Sequence, residues 1–208
     1  EHGLIFIAPD TSPRGEDVPD DPDGAYDFGL GAGFYVDATE EPWSKHYRMR
    51  SYIEHELPEL IGKNLPADMR RQSIMGHSMG GHGALTIALR NPDRVKAVSA
   101  FAPIVSPTNC PWGHKALGGY LGEDASSWSD YDACKLIENG AKLDHLLVDQ
   151  GEADTFLENQ LMPERLEAAC RAAGQPLTLR RHTGYDHSYF FISTFMPDHL
   201  AWHAERLK

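Results

Sequence analysis

The chain has 208 residues, 41% hydrophobic and 24% charged, which excludes a disordered or fibrous sequence and leaves room for one domain spanning residues 1–208. Nineteen Lys and Arg against 31 Asp and Glu give a net charge of −12, a surface that repels phosphate backbones and anionic lipid, so nucleic acid and membranes are excluded as partners. Three widely spaced cysteines, Cys110, Cys134 and Cys170, exclude a disulfide framework or a CxxC metal knuckle and point to a reducing compartment, the cytoplasm.

No apolar run approaches the roughly 18 residues of a membrane span. The chain opens at Glu1 rather than Met, and the expectation is that it is truncated at its amino end. The first predicted strand is Leu4–Ala8. Asp10–Glu41 follows, with ten acidic residues and one base, Arg14, and reads as a solvated loop. Its Asp21-Pro22-Asp23-Gly24 stretch lacks the alternating ligands and distal Glu of a calcium loop. In Arg48–Gly62, apolar residues recur at helical spacing, with Pro58 expected to kink or interrupt the helix. Strand Ser73–Met75 precedes helix Gly80–Arg90, which Asn91-Pro92 stops. Strands Val95–Phe101, Leu146–Asp149 and Leu177–Arg180 follow, with helix Gln160–Ala173 ending at Gly174. The closing segment, Tyr189–Leu207, is helical in pattern and expected to break near Pro197. Short apolar strands alternating with helices predict an α/β fold with a mostly parallel sheet flanked by helices.

The sharpest signal is Gly76-His77-Ser78-Met79-Gly80, between a predicted strand and a helix. A serine on so tight a bend has a strained backbone, and glycines two before and two after are expected to relieve collisions and expose its hydroxyl. A neutral hydroxyl needs a base and an orienting acid, which in this arrangement come later in the chain in the order acid, then histidine. Among His182, His187, His199 and His203, His187 lies in the turn Gly184-Tyr185-Asp186-His187 that leaves the last strand, where it can reach Ser78. His199 and His203, four apart in the closing helix, read as a surface pair. For the acid, Asp149 is still within its strand and reads as structural. Glu152 is an alternative, and Asp154 lies far enough along the loop to face His187 Nδ1. Met79 N–H supplies one oxyanion donor. A second should come from a loop after an early strand, and no suitable segment precedes Glu1. The dispersed histidines offer no HExxH pair, so no metal and no cofactor are expected.

The run Gly76–Leu85, together with Ala8–Gly15, Gly31–Thr39, Tyr47-Arg48-Met49, Ser99–Ile104, Cys110–Gly113, Gly119–Gly122, Asp149–Gly151 with Asp154 and Phe156, and Gly184–Tyr189, resembles the S-formylglutathione hydrolase (esterase D) family along essentially the whole chain. The resemblance implies an α/β-hydrolase that cleaves S-formylglutathione, a small-molecule thioester, to glutathione and formate through Ser78, Asp154 and His187. It further implies Trp112 and Phe156 as the lining of a small acyl pocket, a cofactor-free cytoplasmic enzyme, and commonly a homodimer. In that family an amino-terminal part carries the first strands of the sheet and a Leu-Ser-Gly-Leu-type loop with the second oxyanion donor, and this part is missing from the sequence. Two rivals stand beside this reading: a general short-chain carboxylesterase of the same fold, and a non-catalytic truncated homologue.

Overall fold

The computed structural model describes residues 2–208. Four strands, β1 (Gln72–His77), β2 (Val95–Phe101), β3 (Leu146–Gly151) and β4 (Leu177–His182), form a parallel sheet in the order β1-β2-β3-β4. Every crossover carries helices: α3 (Met79–Arg90) between β1 and β2; α4 (Pro111–Leu121) and α5 (Ala133–Glu138) between β2 and β3; α6 (Pro163–Ala173) between β3 and β4. Ahead of the sheet lie the short α1 (Met49–Ser51) and α2 (Leu57–Asn64), and α7 (Tyr189–Arg206) closes the chain. No described helix is long and apolar enough to cross a membrane.

Strand burial follows position in the sheet. β3 is buried throughout and β2 at all but Lys96, whereas β1 and β4, at the two edges, are mostly half-buried. Two apolar cores result. One gathers Leu85, Val98, Val148, Ile137 and Leu166. The other is aromatic, built on Phe28, Trp43, Tyr47 and Tyr120 with Phe101 and Phe191. Phe28 and Tyr47 stack on either side of Tyr120, at 4.4 and 5.3 Å between ring centroids, and Trp43 meets all three edge-on.

Five expectations need correction. Leu4–Ala8 forms no strand: Ile5 is 47% and Phe6 62% exposed, and the run pairs with no strand. Apolar, β-prone residues make a strand only when a ladder partner is present. The acid-rich segment is solvated only in its first half, because Phe28, Ala32, Phe34, Val36 and Ala38 are buried in the aromatic core. Pro58 does not interrupt its helix. The helical run continues from α1 to α2 through a π-turn at Tyr52–Glu56 directly ahead of Pro58, an irregularity in the ladder where the proline has no N–H to donate. Nor does Pro197 break α7, which runs unbroken because Phe191, His199, His203 and Ala204 anchor both its halves. In contrast, the helix expected from Gln160 starts only at Pro163. A π-turn over Leu157–Leu161 ends at Met162 in the left-handed region (φ 48°), and Pro163 then opens α6.

Candidate active site

Ser78 joins β1 to α3 at φ 55°, ψ −116°, a conformation a non-glycine residue keeps only where its neighbours enforce it. They do so through hydrogen bonds. Ser78 N–H donates to Phe101 O at 2.9 Å, and Ser78 O accepts from His82 N–H at 2.9 Å and Ile104 N–H at 3.3 Å. A Cβ on Gly76 would lie 2.1 Å from Gly80 O, so the strand must be bare there for the helix to turn back over it. The need is one-sided. A Cβ on Gly80 would meet nothing within 4 Å, which corrects the expectation that both flanking glycines relieve a clash. Met79 opens α3, so its N–H is among the first donors of the helix, which have no intrahelical acceptor and sit at the positive end of the dipole.

The loops after β3 and β4 are stitched together. Glu152 N–H donates to His182 O at 3.0 Å and Ala153 N–H to Tyr185 O at 2.9 Å. A Cβ on Gly151 would stand 2.3 Å from Tyr185 O, so this approach also requires glycine. The seam sets Asp154 against His187: Nδ1–H donates to Oδ2 at 2.6 Å, with the Asp154 side chain fully buried and that of His187 19% exposed. Phe156 N–H donates to the other Asp154 oxygen at 2.9 Å, and the amide of Gln150 lies 3.4 Å from Oδ2. His187 also packs beside the serine bend, its ring centroid 4.4 Å from that of His77, the residue preceding Ser78. No direct hydrogen bond joins Ser78 to His187 among the described residues. In free enzymes that bond is often long and tightens only with substrate.

Trp112 and Phe156 meet with ring centroids 4.6 Å apart, and Phe156 stands edge-on to His187 at 5.2 Å. The two expected pocket residues thus form one aromatic wall reaching the imidazole.

His77, unremarked in the sequence, is pressed against His187, and its pKa is pushed down to about 4, first by burial and then by repulsion from His187. It is therefore a neutral ring at pH 7. Its only sequence signal is its place as the variable residue of the pentapeptide. Gln150 was missed for the same reason: nothing distinguishes an amide at a strand end until the loop folds back on it.

The remaining candidates fall elsewhere. Asp149 is fully buried and held by Arg180 through two bonds of 2.6 Å, with His182 at 3.1 Å and His199 at 3.4 Å. Burial raises its pKa, yet His199 and Arg180 outweigh burial and keep it below the usual carboxylate range. This is the structural role expected of it. Glu152 takes the hydroxyl of Thr183 instead of His187. His199 and His203 are not a surface pair. They are 0% and 2% exposed and both bond Ser99 on β2, at 2.8 and 2.7 Å.

A parallel α/β sheet carrying a strained serine at a strand-to-helix bend, with an Asp–His pair on the loops after later strands, defines an esterase of the α/β-hydrolase type. Comparison with known proteins agrees. The family model described as "Putative esterase" matches residues 1–203. S-formylglutathione hydrolase from Rattus norvegicus is 55% identical over 210 residues, covering 100% of this chain and 74% of the rat protein. Its counterpart from Arabidopsis thaliana is 53% identical over 209 residues, covering 100% and 73%. A solved S-formylglutathione hydrolase from Agrobacterium tumefaciens, 60% identical, superposes with a TM-score of 0.97 over 100% of this chain and 74% of its own. The chain belongs to the S-formylglutathione hydrolase family of esterases.

Proposed function

We propose that the chain is a serine thioesterase that hydrolyses S-formylglutathione to glutathione and formate. The observation that carries this reading is the 2.6 Å His187–Asp154 pair seated beside the strained Ser78 bend, in a chain whose relatives at 53–55% identity are S-formylglutathione hydrolases. Ser78 Oγ attacks the formyl carbon while His187 Nε2 takes its proton. The buried Asp154 carboxylate holds the Nδ1–H tautomer and stabilises the imidazolium. Met79 N–H, at the N-terminus of α3, faces the developing oxyanion. Glutathione leaves with the proton from His187, and the formyl group stays on Ser78. Water, deprotonated by His187, then releases formate and restores the hydroxyl. The wall formed by Trp112 and Phe156, in contact at 4.6 Å, is what crowds acyl chains longer than formyl in this reading. No step requires a cofactor or metal.

The three buried free cysteines fit a reducing compartment, and the cytoplasm and a homodimer belong to the same reading.

The test is hydrolysis of S-formylglutathione by the wild type and by Ser78→Ala. The expected loss is roughly 10³-fold or more in kcat; a variant as fast as the wild type removes Ser78 from the reaction. An aryl acetate assayed alongside separates the rivals. A clear preference for the aryl ester makes the protein a general carboxylesterase, and a folded wild type inert to a fluorophosphonate probe makes it a non-catalytic homologue.

A further inference from the structure

We infer that Gln160 is a positioning residue for acyl-chain selectivity, holding Trp112 against Phe156 and so fixing where the aromatic wall of the acyl pocket stands; the inference rests on the thioesterase reading. Trp112 is the second residue of α4, after Pro111, and its N–H is one of the first-turn donors that a helix cannot satisfy internally. The cap at Cys110 does not reach it, since the Cys110 thiol accepts from Gly113 N–H at 3.4 Å. The acceptor for Trp112 comes from across the site: its N–H donates to Gln160 Oε1 at 3.0 Å.

Gln160 belongs to the π-turn Leu157–Leu161, which follows directly from Asp154 and Phe156. Gln160 N–H and Leu161 N–H both donate to Phe156 O, at 3.0 and 3.1 Å, and Phe156 N–H donates to Asp154 Oδ1 at 2.9 Å. A closed circuit results. Asp154 holds Phe156, Phe156 holds the turn bearing Gln160, Gln160 holds Trp112, and the Trp112 ring returns to Phe156 at 4.6 Å. A regular α-helical turn would aim residue 160 differently. The wide turn supplies the reach, consistent with the association of π-turns with functional positions. On the far side, α4 packs closely on the preceding turn: a Cβ at Gly113 would lie 1.9 Å from Pro107 O. The position of this aromatic wall is thus tied to one side-chain carbonyl. Among the described residues Gln160 makes no hydrogen bond to Ser78 or His187, so it acts through Trp112 and not on the reacting atoms.

The experiment compares kcat/KM for p-nitrophenyl acetate and p-nitrophenyl butyrate in the wild type, Gln160→Leu and Gln160→Glu. Both esters are measured on one preparation, so the active fraction cancels from the ratio and a loss of folded protein cannot imitate the effect. Gln160→Leu leaves Trp112 N–H without its acceptor, and the acetate-to-butyrate ratio is expected to fall by roughly tenfold. Gln160→Glu keeps an acceptor oxygen and should retain a ratio close to that of the wild type. An unchanged ratio in Gln160→Leu overturns the inference, as does an equal fall in Gln160→Glu. Where the wild type hydrolyses S-formylglutathione but neither ester, the ratio is read on S-formyl- and S-acetylglutathione instead; a wild type inert toward all of them sinks the thioesterase reading and this inference with it, whereas an active wild type with an unmoved ratio sinks the inference alone.

Discussion

Asp154→Asn keeps the size and most contacts of the acid but removes the charge that selects the Nδ1–H tautomer of His187. The proposed mechanism therefore loses its base in function while keeping it in place. A fall in kcat of about 10³- to 10⁴-fold is expected, with the fold unchanged by circular dichroism. The two glycines around Ser78 make a second residue-level test. Gly76→Ala drives a methyl to 2.1 Å from Gly80 O, in a bend already strained at Ser78. It should cost several kcal/mol, on the order of the largest single-residue effects. Gly80→Ala meets open space within α3 and should leave stability unchanged or raise it by about 0.5–1 kcal/mol. Thermal unfolding of the two variants reads the difference, and equal losses would show that the helix side of the bend is as crowded as the strand side.

Elements meet through buried imidazoles. α7 is tied to β2 by His199 and His203, which share Ser99, and to β3 by His199 and Asp149. His203 has its pKa pushed down to about 4, by burial first and then by His199 and Arg206; burial also lowers that of His82, inside α3. A depressed imidazole is neutral in the folded protein while the unfolded chain takes up the proton below its ordinary value of 6.5. The unfolded state therefore binds more protons between pH 6.5 and about 4, and stability present above 6.5 is lost as the pH falls through that window. His203 alone contributes on the order of 3 kcal/mol by pH 4. His77 on β1 adds to it in the same direction. Urea denaturation at pH 7.5 and 4.5 checks the slope, which should flatten in His203→Phe; a wild type equally stable at both would refute the linkage.

Across the whole molecule, the aromatic core is built in part from the segment that reads as acidic loop. The buried Tyr120 hydroxyl accepts from Gly29 N–H at 2.9 Å and donates to Ala32 O at 2.8 Å, anchoring the loop on α4. Tyr120→Phe keeps the aromatic stack and strands those two backbone groups. The expected cost is about 1–3 kcal/mol, or several degrees in Tm, with faster proteolysis confined to residues 10–41. Cleavage no faster than in the wild type would show that the ring stack alone holds the loop. The same segment shows why length and charge mislead. Its acids dominate the composition, yet its second half is core, because Phe28, Phe34 and Val36 have an aromatic surface to cover.

By itself the sequence determined the sheet strands from Ser73 onward, the serine bend and the meeting of Asp154 with His187. Apolar runs separated by turns encode strands, and a glycine-bounded serine encodes a local backbone geometry. Gly76 and Gly151 are such local marks, each needed where two backbones approach. Only the tertiary structure decided which runs find partners: Leu4–Ala8 has strand composition but no ladder, and α7 continues through Pro197 because its buried side chains hold it. It also decided which polar side chains become neighbours. His77 against His187, Gln160 on Trp112, and His199 and His203 on Ser99 are contacts between residues 48 to 110 positions apart. Spacing along a chain carries no information about such meetings until the sheet register and the loop seams are fixed.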